Sequence, residues 1–379
     1  MVWWMAWARG HSSGVLRRLI AAPAAILLLY GASHVSADGA ASAVFVRFDS
    51  DQTLVVSPRA QVRKRAGDTE FSATYAADIW TSASIDIRTS ASKPVTEQRD
   101  EVDAALVHEL SDVTLSGSYR YSRENDYESH GGSASLAWDF ARNNATLAFS
   151  FNLFKDKVGQ SGVPQMAEDL LTIGGRGSFT QVLTEDLLAQ VTYELSYLAG
   201  YLESPYRFVG IGGTGLGCEG SWTCLRERVP DDRQRHALAL TVRQALGSET
   251  SVGLNYRLYF DSWEMSSHTA AVDLAWQIEQ MTSLTLRYRF YLQSGVGFYQ
   301  RVYAQLPGED DYMTRDRELS PMSDHRVALE FEQRIALDTE DTLLVLSANA
   351  GGTNYAYDNF VGLQRVLALE LTFAAAVEL

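Results

Sequence analysis

Charged side chains at every second position are the first feature of this chain that could do chemistry. Arg287 and Arg289 alternate with Leu286, Tyr288 and Phe290. Glu330, Glu332 and Arg334 alternate with Leu329, Phe331 and Ile335. Glu194, Arg243, Arg257, Asp261, Asp273 and Glu370 stand in similar surroundings. Alternate residues of a strand share one face, so these charges gather on one side of their strands. A desolvated, unpaired charge is too costly to keep, so that side must hold water or opposite charge. Two readings follow. The charges line an aqueous pore with a selective constriction, or they pair across strands and hold a wall together. Arg243, Arg257, Arg287 and Arg289 fall within residues 233–294, and Glu330, Glu332 and Glu370 come later. This order predicts a cationic wall facing an acidic one.

A second set gathers near predicted strand ends: Tyr259, Asp261, Tyr291, Gln293, Asp324 and His325. Such a polar ring could bind a ligand, a metal or a plug protein. It could equally be a hydrogen-bond network closing a mouth, since buried polar groups pair readily. Hydrolysis at this rim would need a Ser/His or Asp/His pair in contact. Asp324 and His325 are adjacent on a strand, so they point to opposite faces. His268 has outward parity, so no catalytic residue is assigned. No cofactor or metal ligand set is assigned either. Acidic clusters at Glu124, Asp126 and Glu128, at Asp231 and Asp232, and at Glu309, Asp310 and Asp311 offer oxygens to a divalent cation. Solvated or lipid-bridging carboxylates are the plainer reading. The run Gly210-Ile-Gly-Gly-Thr-Gly-Leu-Gly217 lacks the Lys-Ser/Thr of a phosphate loop and reads as a flexible segment. The only cysteines, Cys218 and Cys224, have five residues between them and suit a small disulfide in a surface loop. A zinc site would want two more ligands nearby.

These residues need strands to place them. Phe71, Ala73, Tyr75, Ala77 and Ile79 alternate with Ser72, Thr74, Ala76 and Asp78, and similar runs restart from about residue 40 to the C-terminus. Many exceed the five or six residues of an ordinary strand and match the 9–11 that cross a bilayer obliquely. Alternation then separates a lipid face from a lumen. Short polar breaks such as Gly67-Asp68, Ser111-Asp112 and Gln280-Met281 alternate with long ones near 81–97, 158–170, 201–232 and 295–323. The segments between breaks number fifteen, and Ala41–Phe48 supplies a sixteenth. The sequence therefore predicts an all-β fold: a transmembrane antiparallel barrel of about 16 strands. Both termini are periplasmic and the long loops extracellular. It is one domain, 38–379, because a closed barrel cannot be cut into independent halves.

Targeting and composition agree. Arg17 and Arg18 precede an apolar run, Leu19–Tyr30, and Val35-Ser36-Ala37 offers small residues for cleavage before Asp38. Residues 1–37 thus read as a signal peptide; its Trp-rich lead is long and places the natural start near Val15. Removing 1–37 removes three Arg and no acid, so the net charge moves from −15 to −18. Such acidity disfavours nucleic acid and anionic membrane surfaces as partners. Tyr 18, Phe 15 and Trp 8 are enough for two interfacial girdles. The expected partners are outer-membrane lipid and lipopolysaccharide.

Several motifs in order resemble one bacterial family. They are Tyr75-Ala-Ala-Asp78-Ile-Trp-Thr-Ser82 running on to Ser92, Pro230-Asp-Asp-Arg233-Gln-Arg235, and Tyr256-Arg257-Leu-Tyr259-Phe-Asp261-Ser-Trp263. Arg287–Ser294, Phe298-Tyr299 and Ser323-Asp324-His325-Arg326 follow. The chain resembles the family catalogued as domain of unknown function 3570. That resemblance implies an outer-membrane barrel of unsettled activity, with a small lipoprotein or a periplasmic redox protein as partner. The expectation is a non-enzymatic barrel, a channel or a sheath for a redox or secretion partner. A rim-site hydrolase, or a structural or adhesion barrel with a closed lumen, is the alternative.

Overall fold

A computed structural model describes residues 38–82, 95–160, 163–213, 218–337 and 342–378. The expected signal segment lies outside these residues. The up strands are β1 (Gly39–Asp49), β3 (Thr69–Ser82), β5 (Val113–Arg123), β7 (Ala145–Gln160) and β9 (Leu187–Gly200). Each is followed by a down strand: β2 (Thr53–Ala66), β4 (Val95–Leu110), β6 (Tyr127–Phe140) and β8 (Val163–Thr184). A short hairpin, β10 (Phe208–Ile211) and β11 (Thr223–Arg226), interrupts the connection from β9 to β12 (Asp232–Ala245). The remaining strands are β13 (Thr250–Asp261), β14 (Ser266–Glu279), β15 (Thr282–Gln293), β16 (Met322–Ala336), β17 (Leu343–Ala356) and β18 (Arg365–Glu378).

All but β10 and β11 form one closed antiparallel barrel of 16 strands, with β1 paired to β18 from Gly39↔Glu378 to Asp49↔Ala368. Closure leaves no unpaired edge, which the bilayer requires. Tight turns join the strands at one end, for example at Gly67, whose φ of 61° a side chain rarely adopts. By the rule that short turns are periplasmic, the long connections 201–231 and 294–321 are extracellular.

The alternation sorts the side chains as expected. Leu254, Tyr256 and Phe260 face outward on β13, and Leu286, Tyr288 and Leu292 on β15, all exposed. Trp138 and Trp276 mark the periplasmic girdle. From His268 to Ile278 on β14 the band spans ten residues. At about 3.3 Å per residue and a tilt near 40° that is roughly 25 Å, enough for the hydrocarbon core.

One boundary differs. The long loop expected at 158–170 is a hairpin: β7 and β8 stay paired up to Gln160↔Val163. Between Asp156 and Asp169 the sequence sets Lys157, Gln160 and Glu168 beside Val158, Val163 and Met166 with no regular alternation, as suits a ladder standing above the membrane. The lipid-facing pattern that marks a spanning strand is therefore missing there. The glycine run is also more ordered than expected, since Gly210 and Ile211 belong to β10. Gly212 has a φ of 78°, and a Cβ there would lie 2.1 Å from the Trp222 ring. Residues 214–217 lie outside the described residues.

Candidate functional site: the lumen and its outer cap

The inward charges form ion pairs along the wall, within one strand, with the adjacent strand or across one intervening strand. Arg243 meets Asp273 at 3.0 Å and Arg257 meets Glu194 at 3.0 Å. Arg287 meets Glu330 at 3.3 Å, and Arg334 meets Glu332 at 2.9 Å. Glu370 takes Arg326 at 2.7 Å and Arg47 at 3.6 Å. The expected opposition of a cationic wall and an acidic wall is therefore corrected. Neighbouring strands lie about 5 Å apart, so a long Arg side chain reaches an acid one or two strands along but not the far wall. The register that decides this, with Thr285 opposite Glu330, comes from the fold and not from the order of residues along the chain.

Exposure along the lumen changes with height. Arg287 and Glu330 keep 52% and 32% of their side-chain surface in contact with solvent, and Arg334 keeps 56%. The middle and periplasmic part of the barrel is thus hydrated. Near the outer mouth Arg289 meets Asp324 at 2.9 Å, and Asp324 retains 4%. Asp261 retains nothing.

Asp261 organises the mouth. Its Oδ2 accepts from Arg233 Nε at 2.9 Å and Tyr259 OH at 2.6 Å. Its Oδ1 accepts from the backbone N–H of Trp263 at 2.9 Å and of Met265 at 3.1 Å. The Arg233 guanidinium lies over the Trp263 ring at 4.2 Å. A buried carboxylate with this many donors is a structural anchor, here of the β13–β14 turn. Two strands along, Tyr291 OH donates to Gln293 Oε1 at 2.6 Å. Gln293 Nε2 then holds the carbonyls of Glu318 and Ser320 at 2.9 and 2.7 Å. Arg233 was missed as a site residue by parity counting alone, although it stands in the Asp-Asp-Arg-Gln-Arg motif. His325 does not belong to this ring. It faces outward, where its Nδ1 takes the Tyr288 hydroxyl at 2.8 Å and its ring meets Phe290. Strand alternation sends it to the lipid face, because Asp324 beside it points inward.

Above the ring, the two long loops fold into a cap. Val209 and Ile211 from the first loop pack against Tyr303 and Met313 from the second, each at most 3% exposed. Ile211 bridges Tyr303, and Arg228 bridges Met313. Buried Glu227 accepts from Thr314 Oγ1 at 2.8 Å and from the Ser204 N–H at 2.7 Å. Arg207 meets Asp316 at 2.6 Å, and Asp316 caps the short 3-10 turn Arg317–Leu319. Burial, with Glu318 and Glu227 nearby, pushes the Asp316 carboxyl up to about 7 despite Arg207. Cys218 and Cys224 are disulfide-bonded at the tip of the first loop, with Cα atoms 5.6 Å apart.

The cap is tied to every quadrant of the mouth. Its first loop springs from β9 and β12 and reaches Asp126, between β5 and β6, through Tyr206. Arg226 reaches Gln160 at the top of β7. The second loop springs from β15 and β16, reaches Asn359 through Tyr299, and reaches Asp51, between β1 and β2, through Arg317 at 3.1 Å. Asp51 and the root of the first loop lie eight strands apart, half the circumference. Among the acidic clusters, Glu97, Glu124 and Asp126 bring oxygens within 4.8 Å of one another. Arg99 already bonds Glu124 at 2.5 Å.

Comparison with known proteins decides the family. Residues 28–345 match the family described as Protein of unknown function (DUF3570). The chain belongs to that family. No curated protein matches its sequence. Its fold is similar to a bacterial polysaccharide outer membrane secretin, at TM-score 0.50 and 10% identity, covering 90% of this chain and 98% of that one. It is also similar to the siderophore receptor PirA from Pseudomonas aeruginosa, at TM-score 0.42 and 9% identity, covering 89% and 80%. A deletion mutant of the TodX monoaromatic hydrocarbon channel gives TM-score 0.41 at 11% identity, covering 89% and 88%. At such identities the likeness is one of fold. This DUF3570 chain is a bacterial outer-membrane β-barrel.

Proposed function

We propose that the chain is a non-enzymatic outer-membrane conduit for hydrophilic, weakly charged cargo, closed from outside by the folded cap. The hydrated, charge-paired lumen beneath that cap carries the reading. Paired charges bind water and hydroxyl-rich solutes without concentrating either cations or anions, so they suit a neutral or zwitterionic passenger. Cargo of the kind named for the polysaccharide secretin would fit this chemistry. The cap is built from two loops with their own small core and can move as a unit away from the wall. The hydrolase reading loses support, because His268 and His325 both face lipid and, among the described residues, leave the rim without an imidazole.

Conductance in planar bilayers tests the proposal. The intact protein should show small or rare openings. Replacing residues 295–320 by a short Gly/Ser linker should give a steady conductance with little ion selectivity. A capless barrel that assembles and stays silent would refute a conduit and favour a sheath for a periplasmic partner.

A further inference from the structure

The motif Pro230-Asp-Asp-Arg233-Gln-Arg235 puts two arginines on one face of β12, and only the first of them is paired. Both point into the lumen; His236, next to Arg235, faces lipid and bonds the Tyr193 hydroxyl at 2.8 Å. Arg235 stands directly opposite Asp261 on β13 and Ser196 on β9. Asp261 has no oxygen to spare for it. Its two oxygens already accept from Arg233, Tyr259 and the N–H groups of Trp263 and Met265. The Arg235 Nε is buried without a partner. Among the described residues its guanidinium makes no hydrogen bond and no ion pair. The groups acting on it most strongly are Arg233, Tyr259 and Asp261. A half-buried cation without an acceptor is costly to hold, so its place in the fold calls for a reason.

The excess of positive charge extends to its neighbours. Glu194, two places below Ser196 on β9, is shared by Arg257 at 3.0 Å and Arg176 at 3.7 Å. The Arg257 guanidinium lies over the Tyr259 ring at 5.8 Å, on the side of Arg235 that looks down the barrel. The outer half of the inner face of β8, β9, β12 and β13 therefore sets Arg176, Arg233, Arg235 and Arg257 against Glu194 and Asp261 alone. Acids farther off are engaged or distant. Asp273 holds Arg243, and Asp324 holds Arg289. Asp156 on β7 takes the Tyr127 hydroxyl. Glu168 is exposed on the hairpin above, six residues beyond Gly174, which faces Ser196. From the cap, Glu227 takes Thr314 and Ser204, Glu203 lies with Arg226 and Arg228, and Glu264 lies against Gly297.

The place is roofed and wet at once. Tyr259 packs beneath the buried cluster of Val229, Trp263, Met265 and Val296 at the base of the cap. Below it, Arg257 and Arg176 keep 38% and 54% of their side-chain surface in contact with solvent. A guanidinium fork with free N–H groups accepts both oxygens of a carboxylate or phosphate, and a partly desolvated site strengthens that contact. The Ser196 hydroxyl, opposite Arg235, adds a donor of the kind that such an oxyanion takes.

We propose that Arg235, with Ser196 and Arg257, binds one oxyanion directly beneath the cap: a carboxylate or phosphate ester carried by a hydroxyl-rich passenger. The passenger rests on the conduit reading above; the anion site does not. The probes are glucuronate and glucose 6-phosphate, with glucose as their neutral counterpart. Each is added to the purified full-length protein in detergent and followed by saturation-transfer NMR of the sugar. The acidic sugars should bind and glucose should not over the same concentrations; the tighter of the two names the oxyanion. Arg235→Gln should weaken binding by about tenfold or more, the loss of a charge-assisted hydrogen bond. Ser196→Gln, which fills the space opposite Arg235 and removes no charge, should lower it as well. Arg365→Gln, an exposed outward cation on β18, should leave it unchanged. Heat-modifiable migration on a gel reports folding of each variant. Equal binding of glucose and the acidic sugars overturns the proposal, and so does a folded Arg235→Gln protein that binds as the intact one does. If Arg235→Gln fails to fold, undiminished binding by Ser196→Gln overturns it instead. The measurement needs no current, so the two readings fail separately. A capless barrel that is silent yet binds through Arg235 removes the passenger and keeps the anion site. One that conducts without preferring acidic sugars removes the site and keeps the conduit.

Discussion

Ile211→Ala is the sharpest test of the cap. Ile211 is fully buried, against Val209, Tyr303 and Met313, and none of these contacts belongs to the barrel wall. Truncating a buried Ile to Ala costs about 2–5 kcal/mol, part transfer and part cavity. The cap is a small unit above the membrane and can relax into the gap, so a figure near 3 kcal/mol is apt. The backbone bonds Gly212 N–H to Tyr303 O at 2.7 Å and Trp222 N–H to Ile211 O at 3.0 Å survive the change. The loss therefore falls on the closed state of the cap and not on the 16-strand ladder. At 1.4 kcal/mol per tenfold, opening should become roughly 100-fold more frequent. Two measurements read it. Hydrogen exchange should accelerate in 203–213, 223–230 and 296–316 and stay unchanged in the barrel strands. Open probability in a planar bilayer should rise with it. Faster exchange without any rise in conductance would refute the cap as a gate. Unchanged exchange would refute the claim that this core holds the two loops together.

The remaining predictions separate roles that the sequence had merged. Arg287→Ala should cost under about 1 kcal/mol, because its pair with Glu330 is hydrated, and should shift the reversal potential toward cations by freeing that acid. Arg289→Ala should cost about 3 kcal/mol, because it strands nearly buried Asp324; chemical denaturation of the two variants should order them so. Asp316, raised to about 7, favours the closed cap while protonated. That contribution is complete below the ordinary carboxylate range and is lost as pH climbs through about 7, so open probability should rise from pH 5 to pH 8, and Asp316→Asn should flatten the profile. Reducing Cys218–Cys224 should increase exchange at the loop tip and leave the barrel ladder unaffected, since the bond closes a loop of only six residues' separation.

The period-two pattern of this chain was enough to fix the architecture. A lipid face admits no charge and a lumen tolerates it, so Leu286, Tyr288 and Leu292 against Arg287, Arg289 and Tyr291 determine which way β15 faces without any knowledge of its neighbours. Strand number and loop polarity follow from the same bilayer constraint. Pairing was not legible. Whether Arg287 meets Glu330 or an acid across the lumen depends on register and closure, which involve strands far apart in sequence. The hairpin of β7 and β8 lost the alternation signal once it left the membrane. The cap was hidden for the same reason: Ile211 and Met313 come from two loops without periodicity and meet about a hundred residues apart in sequence. Local pattern tells each side chain whether it faces lipid or water. Only the closed barrel, by bringing distant strands and loops to one mouth, decides which of them touch.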